Sequence, residues 1–478
     1  YLAYNFWLLF GWNQGAMFPL QVTSALFGAG GVLIFYNILK GLFRSKIFCF
    51  IGSLFFAFSY GYWFFSTEPI MIISALFFRL VGILIFVRGQ KNRPSTFFFM
   101  GLAHGVSIVF DSQGVLFSFV MIYGIYLFCR KDKKSELFKK IFIYLSTAVL
   151  ITGIVYFVVS YFYFNHRSIQ DFLNFVWGFG PVHNEGDSLK TALYTFLQSV
   201  IVMDKFYLLN YHICHVIAKG VFIGLFLIAP VYLFVARKKI KEEKYNIVLF
   251  SSFWILFIFP IYCYKEPLAL ELYSYLLPPF WFIFIIALWE MKECVKTNSK
   301  GKKIFDISVL VLLFSFITHN FVYGIFPQAD ITNCEFYKEF VFLKDHVDKD
   351  KIVIVLTFED GYVDYSMVYL NNETKGGIEK IIPVSYFRQL DFDYENLFET
   401  VNQYDNLIIF FLPVNIWKYD KQVEVSNIIQ TVNLIHGESQ HIGPEQEFLN
   451  KLSNYYNFTL VSNDSNANCT LFKLLRRR

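Results

Sequence analysis

Along the first two thirds of the chain, apolar residues gather into ten long runs separated by short polar segments. The runs cover residues 17–39, 46–65, 69–87, 96–110, 114–129, 138–164, 217–236, 246–264, 274–290 and 304–325. Most approach the length that crosses about 30 Å of hydrocarbon as a helix. The fourth and fifth are short enough to form a tight hairpin. The pattern predicts an α-helical polytopic membrane protein of about ten spans up to residue 325. The long polar stretch 165–215 holds two amphipathic pieces, "SIQDFLNFVWGF" and "LKTALYTFLQSVIV", suited to the membrane interface plane.

From about residue 326 the pattern changes. "KIVIVLTF", "IEKIIPVSYF", "NLIIFFLP" and "NFTLVSN" read as strands bounded by Asp, Asn and Gly. "YVDYSMVYLNN", "LFETVNQY", "VEVSNIIQTVNLI" and "EQEFLNKLSNYY" have helical spacing. Alternating strands and helices predict a soluble α/β domain with a mainly parallel sheet over 326–478.

Loop charge orients the chain. Lys40, Arg44 and Lys46, then Arg88, Lys91 and Arg93, then "CRKDKKSELFKK", "ARKKIKEEK" and "KECVKTNSKGKK" fill alternate loops. The intervening loops hold few cations. Basic loops stay cytoplasmic, so the other loops and the C-terminal domain are expected outside, with a bacterial inner membrane favoured over the ER membrane. Composition agrees: 56% of residues are hydrophobic and only 17% charged, against about 25% charged in soluble domains. None of the seven cysteines forms a Cys-x-x-Cys pair, and Cys334 and Cys469 could bridge in an oxidising compartment.

Candidate chemistry sits at the outside mouths. Glu68 follows the aromatic cluster Tyr60, Tyr62, Trp63, Phe64 and Phe65 and precedes Pro69. It reads either as a carboxylate that meets a polar substrate beside Trp63, or as an ordinary helix-start acid in an aromatic belt. Asp111 occupies another mouth, as a cap or as a second wall of the same cavity. Arg79 lies about 15 Å beyond Pro69 at 1.5 Å per residue, a depth where an arginine faces protein or a polar cavity. His104 reads as a packed core histidine. Lys265, Glu266, Glu271 and Tyr273 precede a late span and offer a phosphate contact with a polar wall. His166 and Arg167 form a second anion candidate. No Walker loop, dinucleotide glycine pattern, HExxH or GxSxG occurs.

"LQVTSALFGAGGVLIFYNILKGLF" followed by "FAFSYGYWFFSTEP" resembles the early spans of the GT-C superfamily of integral-membrane glycosyltransferases. The nearer groups are protein O-mannosyltransferases and lipid A aminoarabinose transferase-like proteins. Trp63 and Glu68 stand at that block's Trp and acidic positions, "MGLAHGVSIVFDSQGVLF" resembles the next block, and "ELYSYLLPP" a later one. Asp111 stands where the family often has His, and Ser274 or Tyr275 where a basic residue often precedes the Tyr-Leu-Pro run. The resemblance implies transfer of a sugar from a polyprenyl- or dolichyl-phosphate donor to a protein, lipid or glycan acceptor on the outside face. Glu68 would be a secondary acid lining the site, and Asp111, Lys265, His166 and Arg167 weaker site members. No cofactor beyond the lipid-linked donor is implied, and a divalent metal stays open. The family's principal catalytic Asp would lie before Tyr1, in a first outside loop whose end is residues 1–16, preceded by an eleventh span. A non-catalytic membrane scaffold of the same architecture is the competing expectation, and a secondary transporter a weaker one, since no inverted repeat is evident.

Overall fold

The computed structural model describes residues 17–68, 71–163, 188–203, 212–265, 267, 269–295 and 299–326, five strands between 352 and 476, and the single positions Ser168 and Asn454. The chain divides into two units, one containing the described helices and the other the strands.

All ten apolar runs fall on helices. These are α1 (Met17–Leu42), α2 (Lys46–Ala57) with α3 (Tyr60–Thr67), α4 (Met71–Arg88), α5 (Pro94–Phe110), α6 (Gly114–Cys129) and α7 (Lys134–Tyr163). After the helix α8 (Ser188–Val200) come α9 (His212–Ala236), α10 (Glu242–Lys265) and the short α11 (Leu270–Tyr273), which runs through a 3-10 turn into α12 (Leu277–Val295). Last is α13 (Ser299–Asn320), extended by a π-helical segment, Phe321–Ile325. Among the described residues, seven helices are long and apolar enough to cross a membrane, or eight if α2 and α3 form one span. The two remaining apolar runs, α5 and α6, are shorter. The helix α8 coincides with the second amphipathic piece, and the first piece lies outside the described residues apart from Ser168.

One departure matters for function. The run 46–65 is not one straight helix: α2 and α3 meet at a bend of 68°. Ser59 turns its hydroxyl back to the Phe55 carbonyl at 3.0 Å, a local bond that competes with the helix ladder. Gly61 then lets α3 rest on the end of α8, because a Cβ there would meet Ser199 atoms at 3.1–3.2 Å.

The helical unit packs around α12, whose span is 78% buried, whereas that of α7 is only 17% buried. Aromatic rings fill the centre. Phe35 stacks on Phe56 at 4.5 Å and on Phe282 at 4.8 Å, and Phe55 stacks on Trp281 at 5.3 Å. The peripheral helices turn large apolar side chains outward, among them Phe138, Phe162, Leu227, Val235 and Phe314. Without an apolar gain between helices in lipid, close approach depends on small residues. Gly101 and Gly105 on α5 supply it: their hydrogens face the backbone of α7 at Tyr144 and Ala148. Thr152 then donates to the Gly105 carbonyl at 3.3 Å and Tyr156 to that of Ile108 at 3.2 Å.

In the second unit, β1 (Ile352–Thr357), β2 (Lys380–Pro383), β3 (Asn406–Leu412), β4 (Tyr456–Asp464) and β5 (Cys469–Arg476) form one sheet of order β2-β1-β3-β5-β4. The first three strands pair in parallel and β5 joins β3 and β4 antiparallel, so the sheet is mixed rather than mainly parallel. The sequence reading does not anticipate β5, whose segment "CTLFKLLR" lacks a regular apolar–polar alternation and runs into the terminal arginines. The helices expected between strands, and the Cys334–Cys469 pairing, lie outside what is described.

Adding bulk to the α5–α7 seam tests the packing. Gly101→Val is expected to cost about 1–3 kcal/mol through overpacking, read as a lower Tm in detergent. Gly153→Ala, with nothing within 4 Å of the added carbon, is expected to leave Tm unchanged or raise it.

Candidate functional site

The bend between α2 and α3 leaves backbone groups without helical partners, and other helices satisfy them. Asn320, at the end of α13, donates from Nδ2 to the Phe58 carbonyl at 2.8 Å and to the Val200 carbonyl at 3.0 Å. Its Oδ1 accepts from the Val202 amide at 3.1 Å. The Trp281 indole N–H donates to the Ser59 hydroxyl at 2.7 Å. Non-helical backbone persists at membrane depth only where protein encloses it in this way.

The short helix α3 carries Trp63 toward its end and stops at Glu68, whose backbone is extended. Trp63 is half-buried, edge-on to Phe58 at 4.8 Å and stacked on Phe321 at 5.8 Å. Glu68 is half-buried and forms no ion pair among the described residues. Burial raises its carboxyl above the usual glutamate range, because desolvation disfavours the charged form.

Asp111 is in the opposite condition. It ends α5, on the same side of the bundle as the start of α4, and its Oδ2 accepts from Arg79 Nη2 at 3.0 Å. Its Oδ1 accepts from the Gln113 amide at 3.1 Å. Arg79 is 2% exposed; its Nε donates to Ser107 Oγ at 3.2 Å and its guanidinium sits 3.6 Å from the Tyr275 ring centroid. The interior position expected for Arg79 is therefore met by a paired arginine. Asp111 keeps 15% exposure and is, among the described residues, the one charge lining a cleft of about 360 Å³ between the end of α5 and α7, with Phe110, Ser112, Val155 and Tyr156 among its other walls. Glu68 does not line that cleft.

His104 is the packed core histidine expected. It accepts from the Tyr144 hydroxyl at Nδ1 and donates from Nε2 to the Gly114 carbonyl at 2.9 Å. Those two partners define the Nε2–H tautomer.

The remaining candidates fall in two groups. Tyr273 is fully buried, and the hydroxyls of Tyr273, Ser274 and Tyr275 close no hydrogen bond among the described residues. The Tyr275 hydroxyl stands near Asp111 but outside bonding geometry. Glu271 is half-buried and has interaction partners. Lys265 ends α10, but its side chain, and all of Glu266, His166 and Arg167, lie outside the described residues. No group of three His, Cys, Asp or Glu side chains able to hold a metal occurs among the described residues. The sequence reading missed Asn320 and Ser59. The one signal was a polar His319-Asn320 pair inside the last apolar run.

A second concavity, of about 270 Å³, is almost wholly apolar. Phe226, Pro230, Ile255, Leu256, Phe280 and Ile283 help line it between α9, α10 and α12.

Among solved structures, the chain is similar to ArnT from Cupriavidus metallidurans bound to undecaprenyl phosphate. The TM-score is 0.51 at 10% identity, over 95% of this chain and 84% of that one. The apo state of the same enzyme matches at TM-score 0.49 and 11% identity, over 95% and 83%. No family model matches the chain, and no curated protein matches its sequence. The chain therefore shares the overall fold of that ArnT structure.

The Arg79–Asp111 pair invites a double-mutant cycle. Arg79→Met strands a largely buried carboxylate and is expected to cost about 3–5 kcal/mol. Arg79→Met combined with Asp111→Leu is expected to cost markedly less, read as recovery of Tm in detergent. A double-variant loss equal to the sum of the losses from Arg79→Met and Asp111→Leu alone would show that the pair is not coupled.

Proposed function

We propose that the protein is a membrane glycosyltransferase that moves a sugar from a polyprenyl-phosphate donor to an acceptor hydroxyl on the outside face of the membrane. The observation that carries this reading is the GT-C-like fold, extending over 95% of the chain, shared with an enzyme solved with undecaprenyl phosphate bound. The alternation of basic loops supports an orientation with Glu68 and Asp111 facing outside. It also supports ten spans in this chain, with α5 and α6 as the two short ones, and a C-terminal α/β domain on the outside face.

In this reading the two acids have different tasks. Glu68, desolvated and unpaired among the described residues, is the carboxylate suited to accept a proton from, or orient, the incoming hydroxyl. A raised carboxyl pKa brings the base closer to the operating pH. Asp111, bonded to Arg79 and to the Gln113 amide, contributes a polar wall rather than a base. Trp63 presents an aromatic face beside Glu68, the kind of surface on which a sugar packs. The phosphate of the donor would be met by Lys265, or by His166 and Arg167, since Arg79 is already committed to Asp111. The groove between α9, α10 and α12 is apolar enough for the isoprenoid tail.

The test is incubation of the purified native chain with radiolabelled polyprenyl-phosphate sugars and a panel of acceptors. Transfer is expected, with Glu68→Gln slower by roughly 10²-fold, the scale of one general acid–base group. The sign of the pH dependence follows from the raised carboxyl. Glu68 is active when ionised, so the rate should rise with pH through a value above the ordinary ~4.3 of glutamate, and that limb should vanish in Glu68→Gln. Neither donor binding nor turnover in the unmodified protein would leave a non-catalytic scaffold as the better reading.

A further inference from the structure

The helix α3 is a lever. Its eight residues span about 12 Å, and it is hinged at Phe58–Ser59, with Trp63 along its length and Glu68 at its far end. A rotation of about 5° at the hinge moves Glu68 by about 1 Å on that arm. A misplacement of that size is enough to impair an oriented reaction about 10²-fold. The hinge must therefore be fixed, and the contacts that fix it come from distant parts of the chain.

Asn320 makes the polar ones. It is fully buried, and both Nδ2 hydrogens and Oδ1 are used: on Phe58 at the hinge, and on Val200 and Val202, where the chain leaves α8. The end of α8 is the surface on which Gly61 rests, so one amide ties together the hinge and the platform beneath the lever. The adjoining π-helical segment adds two contacts. It brings Phe321 onto Trp63, and it sets Gly324 where a Cβ would meet Tyr60 at 2.8 Å. Such π-helical insertions often mark functional positions.

We propose that Asn320 is a positioning residue that sets the orientation of α3, and with it the placement of Glu68 and Trp63 for sugar transfer. The role in transfer rests on the glycosyltransferase reading; the mechanical role does not. Asn320→Asp is nearly isosteric and keeps an acceptor for the Val202 amide. It cannot, however, donate to both carbonyls, since a carboxylate donates to neither and a carboxylic acid to only one. Asn320→Leu removes all three bonds.

The experiment uses the native chain in lipid nanodiscs, with two readouts: steady-state transfer from a polyprenyl-phosphate sugar, and hydrogen exchange by mass spectrometry. In both variants kcat is expected to fall at least tenfold, with KM for the donor changed less than threefold. Exchange should quicken at least tenfold in peptides covering 58–68 and 198–203, and stay unchanged in peptides of the α5–α7 seam. Wild-type exchange and turnover in Asn320→Asp would overturn the proposal, as would exchange that quickens equally throughout the helical unit. If the unmodified protein transfers no sugar, exchange alone decides. Local quickening then supports the hold on α3 while the glycosyltransferase reading fails, and unchanged exchange removes the proposal whatever the activity.

Discussion

Inside hydrocarbon no water completes a broken helix, so every interruption of the backbone ladder must be answered by another part of the protein. The bend of 68° between α2 and α3 is such an interruption, and much of the surrounding architecture answers it. Ser59 folds its hydroxyl onto Phe55, Trp281 reaches in from the most buried span, and Asn320 supplies an amide from the last one. Two helices more than 200 residues further along the chain converge on one turn. In return the bend frees a short helix to run at an angle to the bundle, with an aromatic side chain along it and an acid at its end. A straight span could not present Trp63 and Glu68 in that manner.

Where the backbone is unbroken, the packing follows a different logic. The α5–α7 contact depends on what is missing, a side chain at Gly101 and Gly105, and the resulting close approach allows hydroxyls on α7 to bond carbonyls on α5. The block "GLAHG" thus combines a glycine seam with a histidine that joins α5 to α7 through Tyr144 and to the start of α6 through the Gly114 carbonyl. The same block ends at Asp111. Its glycines and histidine thereby fix how α5 lies, and so where the Asp111 carboxylate meets Arg79 of α4.

The helices were legible because hydrophobic run length is a strong signal, and each of the ten runs lands on one. The bend was not, because its causes are nonlocal: Ser59 and Gly61 are unremarkable residues in an apolar run, and what makes them a hinge is the arrival of Asn320 and Ser199. Glu68 and Asp111 could be named from the sequence as acids at the ends of runs. Their difference could not, since it depends on Arg79 lying 32 positions from Asp111 and within reach of it. In the second unit three parallel strands were readable from their β-branched and aromatic content. The last strand was hidden, because Leu471, Phe472, Leu474 and Leu475 break the alternation that marks one.

The contrast between the two acids has a chemical consequence. Asp111 is bonded to a guanidinium and a backbone amide, so its lone pairs are engaged and its charge is compensated. Glu68 is half-buried with no such partner among the described residues, so desolvation disfavours its charged form. Of the two, Glu68 is therefore the group whose proton affinity is raised by its surroundings, and Asp111 the one already committed to a cation. The Arg79–Asp111 pair is costly to bury, and it ties Asp111 to α4, while Glu68 stands at the end of α3 with no ion pair among the described residues.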